Sequence, residues 1–133
     1  MLIVDANIVL RYLLSDHEEL SAKAEEIIEN NCIHLPIEVL CEVVYVLEKV
    51  YNVVRSDITD KLTDFINDLE IVLPSRETVL IGLQYYGKEN LDFVDCILVG
   101  YAEIENVKVH TFDKKVNRLL DKIAARKLTA SDS

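Results

Sequence analysis

The sequence predicts an α/β domain, a three-layer α/β/α sandwich around a mainly parallel sheet of four or five strands. Two observations carry that expectation. Short apolar segments alternate with longer stretches whose apolar residues recur at helical spacing, which is the pattern of parallel strands joined by crossover helices. Half of the 133 residues are hydrophobic, and only three are Gly and two Pro, so a packed core is expected rather than a disordered chain.

The elements follow in order. Residues 2–4 form a short apolar strand and residues 8–14 a compact apolar helix. Residues 21–30 place Ala24, Ile27 and Ile28 at helical spacing, with Ser21 as a candidate cap. Residues 32–35 are a second short strand. Pro36, suited to a first helical turn, opens an amphipathic helix to about residue 50, with Val39, Leu40, Val43, Leu47 and Val50 on one face. Residues 57–69 repeat the pattern through Ile58, Leu62, Phe65, Ile66 and Leu69. Residues 71–73 read as a strand ended by Pro74, and residues 75–86 as a helix with Val79, Leu80 and Leu83 inward. Residues 91–104 are apolar almost all round, the mark of a buried helix. Residues 107–111 alternate as a strand, and residues 114–125 close the fold as a helix. The length suits one domain, placed over residues 1–125 with a frayed tail at 126–133.

Composition narrows the function. Charges break the apolar stretches before any could span a bilayer, and no basic leader precedes the first of them, so a soluble, cytoplasmic protein without membrane association is expected. Cys32, Cys41 and Cys96 are odd in number, contain no CxxC pair and lie in apolar segments; they read as buried thiols. The net charge of -10 argues against nucleic acid at first sight. Seven basic residues between Lys108 and Lys127 soften that, and metal ions can bridge carboxylates to phosphates. His17, His34 and His110 are isolated from any nucleophile, and no glycine-rich phosphate loop exists. Asp5-Ala6-Asn7 has Asn where a haloacid-dehalogenase-type phosphatase needs a second Asp.

The carboxylates carry the chemistry. Asp5 follows the first strand and Asp113 the last, the positions where open parallel sheets bind ligands, although either could simply cap the helix it precedes. Asp95 is the only charge in Phe-Val-Asp-Cys-Ile-Leu-Val-Gly-Tyr-Ala, where an ionised acid needs compensation. Asp92 three residues before it matches a capping box, which explains the spacing but not an acid on a buried face. Glu42 sits at the margin of the long helix's apolar stripe, a common place for a solvated residue. These acids form no local metal motif.

The segments Ile3-Val4-Asp5-Ala6-Asn7-Ile8-Val9-Leu10, Glu42-Val43-Val44-Tyr45-Val46-Leu47, Phe93-Val94-Asp95-Cys96-Ile97-Leu98-Val99 and His110-Thr111-Phe112-Asp113, in this order, resemble the motif series of PIN-domain proteins, above all the VapC-type toxins. The resemblance runs from residue 1 to about 120. It implies strand order 3-2-1-4, an acidic cluster of Asp5, Glu42, Asp95 and Asp113 serving both as catalytic residues and as metal ligands, and possible support from Asn7, in place of the family's Thr or Ser, and from Asp92. It implies one or two Mg²⁺ or Mn²⁺ ions and hydrolysis of RNA to 5′-phosphate and 3′-hydroxyl ends. It also implies a small antitoxin as partner. A homodimer is expected, with Tyr45, Tyr51, Tyr85 and Tyr86 as contact surface. A non-catalytic PIN-like module binding RNA or protein is the alternative; it would be favoured by loss of an acid, and none of the four is lost.

Overall fold

The computed structural model describes residues 1–131. They fall into two compact units, Met1–Arg76 and a second that begins at Glu77.

In the first unit β1 (Leu2–Ile3), α1 (Ala6–Leu14), α2 (Glu18–Glu29), β2 (Ile33–His34), α3 (Ile37–Lys49), α4 (Arg55–Asp68) and β3 (Ile71–Val72) succeed one another. The strands are parallel in the order β1-β2-β3, with Leu2 opposite Ile33 and Ile33 opposite Ile71. Parallel neighbours need long crossovers, and each crossover here contains two helices. The ladder extends past the strand ends: Leu35 N–H donates to the Val72 carbonyl at 2.9 Å and Leu2 N–H to the Cys32 carbonyl at 2.9 Å.

The helices form where apolar spacing meets a suitable start. Leu40, Val43, Val44 and Leu47 are buried on α3, and Ile58, Leu62, Phe65 and Ile66 on α4. Fully burying each such side chain is worth about 1.5–3 kcal/mol. α1 packs on α2 and α3, and α3 on α4. Tyr12 of α1 meets Phe65 of α4 edge-on, with ring centroids 5.6 Å apart. Helix α2 begins before Ser21: His17 is its N-cap, its Nδ1 accepting from Leu20 N–H at 3.1 Å, so this isolated histidine has a structural task.

The second unit takes up α5 (Arg76–Lys88, whose first residue closes the first unit), then α6 (Phe93–Glu105) and α7 (Lys114–Ser131). Tyr86 is 1% exposed and packs edge-on against Phe93 at 5.7 Å. It is therefore core, and not part of a contact surface. Tyr85 is half-buried, its hydroxyl donating to Glu103. A Cβ on Gly100 would stand 2.6 Å from the Thr78 carbonyl oxygen, so α6 and α5 approach too closely there for any side chain. α6 is less enclosed than its composition predicts. Phe93, Cys96, Ile97, Val99 and Gly100 are buried, but Val94 is exposed and Asp95 half-buried. The helix ends at Asn106 in the left-handed region, φ 57°, a conformation Asn tolerates.

Among the described residues the sheet has three strands, not four or five. The alternating segment 107–111 has no regular structure. Alternation favours a strand only where a neighbouring strand takes up its N–H and C=O groups, and the second unit taken alone offers none. The closing helix runs on to Ser131, so residues 126–131 continue it; the remainder of the expected tail, 132–133, lies outside the described residues. Of the thiols, Cys96 is buried while Cys32 and Cys41 are half-buried, and none of the three is in a disulfide. No described helix is long and apolar enough to cross a membrane.

Candidate active site

Asp5 stands two residues beyond β1 as N-cap of α1, with extended backbone (φ -87°, ψ 176°), and its Oδ1 accepts from Ile8 N–H at 3.1 Å. The capping role foreseen for it is real. It engages one carboxylate oxygen and leaves the other open, so capping and cation binding are compatible. Asn7, in the first turn of α1, is exposed. Glu42 lies mid-way along α3, exposed, between half-buried Cys41 and buried Val43. Asp5 and Glu42 thus belong to helices that pack together within the first unit.

In the second unit a cavity of about 340 Å³ is lined by Asn90, Leu91, Asp92, Asp95, Asp113, Lys114 and Lys115. Three carboxylates enter it from two helix starts. Asp113 caps α7, its Oδ1 accepting from Val116 N–H at 2.9 Å. Asp95 lies in the first turn of α6. Asp92 is the residue at the N-cap of α6, but its side chain makes no capping bond. The capping-box explanation of Asp92 therefore fails, and Asp92 lines the cavity instead.

Charge crowding shows in protonation. Burial first, then the charges of Asp113 and Asp92, raise the pKa of Asp95 above the ordinary aspartate value. Both causes disfavour the ionised form, and a bound cation would oppose them.

A PIN-domain family model matches residues 2–122. The chain belongs to the PIN-domain family. Among curated relatives, a VapC ribonuclease of Aquifex aeolicus (strain VF5) is 26% identical over 130 aligned residues, spanning 90% of this chain and 92% of the relative. No solved structure gives a significant match.

Within this PIN-domain chain the carboxylate cavity offers the donor type that a hard divalent cation takes. Its acidic donors are all oxygens, and Mg²⁺ is commonly held by one or two carboxylates while keeping several waters. Among the described residues no three His, Cys, Asp or Glu side chains converge tightly enough to enclose one ion.

Sequence reasoning missed the residues that hold Asp113 in place. Asn117 Nδ2 donates to the Thr111 carbonyl at 2.9 Å, and Asp113 N–H donates to Thr111 Oγ1 at 3.1 Å. These bonds fix the 111–113 turn ahead of the cap. Neither Thr111 nor Asn117 is charged, and only a side chain–backbone turn pattern could have flagged them. Also missed was the division of the basic helix. Arg126 donates to Glu103 Oε1 at 2.9 Å and to the Tyr85 hydroxyl at 3.2 Å, and Lys127 donates to the Ala102 carbonyl at 2.8 Å and to Asn106. These two cations tie α7 to the unit, beside a larger cavity of about 1200 Å³ between α5 and α7.

Proposed function

We propose that this PIN-domain chain is a divalent-metal-dependent endoribonuclease of the VapC type, acting as the toxin of a toxin–antitoxin pair in the cytoplasm. The observation that carries the reading is the shared cavity of Asp92, Asp95 and Asp113, in a chain similar to a VapC ribonuclease along most of its length. Asp5, Glu42, Asp95 and Asp113 are the proposed acidic set, with Asn7 and Asp92 in support. These carboxylates would hold one or two Mg²⁺ or Mn²⁺ ions, which would supply charge neutralisation at the scissile phosphate and a more acidic water for in-line attack. The carboxylates hold and orient the cation. The cap bonds of Asp5 and Asp113 keep one oxygen of each fixed, so that the other is presented at low entropic cost.

Association belongs to the same reading. Tyr45 at 63% exposed, with Val50, Tyr51 and Val54, forms an apolar exposed set on α3 and the turn after it, which supports a homodimer contact. A basic segment of an antitoxin would pair with the acids and compete with metal and RNA. The test is incubation of a 5′-labelled single-stranded RNA with the protein. Cleavage with Mg²⁺ or Mn²⁺, new 5′-phosphate ends and arrest by EDTA are expected. Intact RNA at micromolar enzyme with either metal would refute the reading. Sedimentation at micromolar concentration should show a dimer.

A further inference from the structure

The start of α7 breaks a local rule. Its first two residues are Lys114 and Lys115, with no acidic residue in the first turn, yet cations there face the positive end of the helix dipole and cost stability. Both lysines are exposed and line the carboxylate cavity. Neither is among the ion pairs of the described residues, so they do not simply neutralise Asp92, Asp95 and Asp113. Further along the same helix, Arg126 and Lys127 are bonded to Glu103 and Asn106. The basic stretch therefore has two tasks: one pair of cations holds the unit together, and the other remains free beside three acids. A site offering carboxylates and free ammonium groups side by side fits a ligand that is anionic and arrives with its own cations, which describes a phosphodiester backbone with divalent metal.

We propose that Lys114 and Lys115 bind the phosphates flanking the scissile linkage of a single-stranded RNA, setting affinity and register while leaving the chemical step to the acids. This rests on the nuclease reading above, and the test separates the two. Binding of a fluorescein-labelled single-stranded RNA in EDTA, by anisotropy at stepped KCl concentrations, gives the salt slope. Steady-state cleavage in Mg²⁺ gives KM and kcat. For Lys114→Gln with Lys115→Gln the slope of log K against log[KCl] should fall in magnitude by about 1.4, about 0.7 per lost phosphate contact. Binding at low salt should weaken by about tenfold, with KM raised and kcat within about twofold of wild type. Lys114→Arg with Lys115→Arg should keep the wild-type slope. An unchanged slope in the glutamine variant, with wild type still cutting, overturns this proposal and leaves the nuclease reading intact. A lowered melting temperature with unchanged slope also overturns it, since the lysines would then be structural. A wild type that neither binds nor cuts RNA removes both.

Discussion

The two units keep their carboxylates in different company. In the first, Asp5 is engaged by the Ile8 N–H and Glu42 stands exposed along α3, each answering to its own helix. In the second, Asp92, Asp95 and Asp113 share a cavity, where burial first and then the charges of Asp113 and Asp92 raise the pKa of Asp95. Carboxylates thus serve as caps, as surface charges or as members of a shared cavity, and Asp113 is both cap and cavity member. The neighbours brought by the fold decide which, more than the local motif does.

The largest test of this contrast is activity. Asp95→Asn should reduce RNA cleavage by at least about 100-fold, since several kcal/mol of charge stabilisation leave with the carboxylate. Asp5→Asn keeps a side-chain oxygen for the cap and should lose activity on the same scale if the first unit's acids belong to the centre. Full activity in Asp5→Asn, with a wild-type circular dichroism spectrum, would confine the chemistry to the second unit.

A second test addresses the scaffold behind the cavity. Gly100→Ala places a Cβ 2.6 Å from the Thr78 carbonyl oxygen, where backbone must move. A destabilisation of about 1–3 kcal/mol is expected in urea unfolding. Gly82→Ala meets the Ile97 Cδ1 at 2.8 Å, the movable end of a side chain, and the Cys96 carbonyl oxygen at 3.3 Å. Its smaller clash is partly offset by helix propensity, so a cost below about 1 kcal/mol is expected. Equal costs would contradict the close approach at Gly100.

The smallest effect concerns pH. The pKa of Asp95 is raised in the folded state, so its contribution to stability is fully present below the unfolded pKa and is lost as pH rises through the folded one. Metal-free wild type should therefore lose stability relative to Asp95→Asn as pH rises through that window toward neutral, and melt below it at pH 7. Addition of Mg²⁺ or Mn²⁺ should raise the wild-type melting temperature by mass action. A difference between the two proteins that does not vary with pH would remove the coupling from the account.

Much of the first unit was legible in sequence because its signals are periodic. Leu40, Val43 and Leu47 on α3, and Ile58, Leu62 and Phe65 on α4, recur at helical spacing and are buried. The short strands were legible from apolar runs bounded by polar residues. Segment 107–111 was misjudged because alternation states a preference for pairing and says nothing of a partner. Ser21 reads as the cap because a hydroxyl is the usual acceptor there, and an imidazole such as that of His17 is not. Asp92 was assigned a cap by spacing alone, while the capping bond depends on a side-chain geometry that spacing does not encode. The acids at 5, 42, 95 and 113 stood out through the family's motif order. Nothing in local pattern announced Thr111, Asn117 or the free lysines, whose roles arise from a turn and a cavity.

The account turns on whether the acids of the second unit hold a divalent cation, and Mn²⁺ binding tests that most directly. Titration of the metal-free protein with Mn²⁺, followed by the electron paramagnetic resonance signal of the free ion, should show saturable binding to wild type. The affinity should fall at least about tenfold in Asp95→Asn and fall further when Asp92→Asn is added. Undiminished Mn²⁺ affinity in the doubly substituted protein would contradict the account.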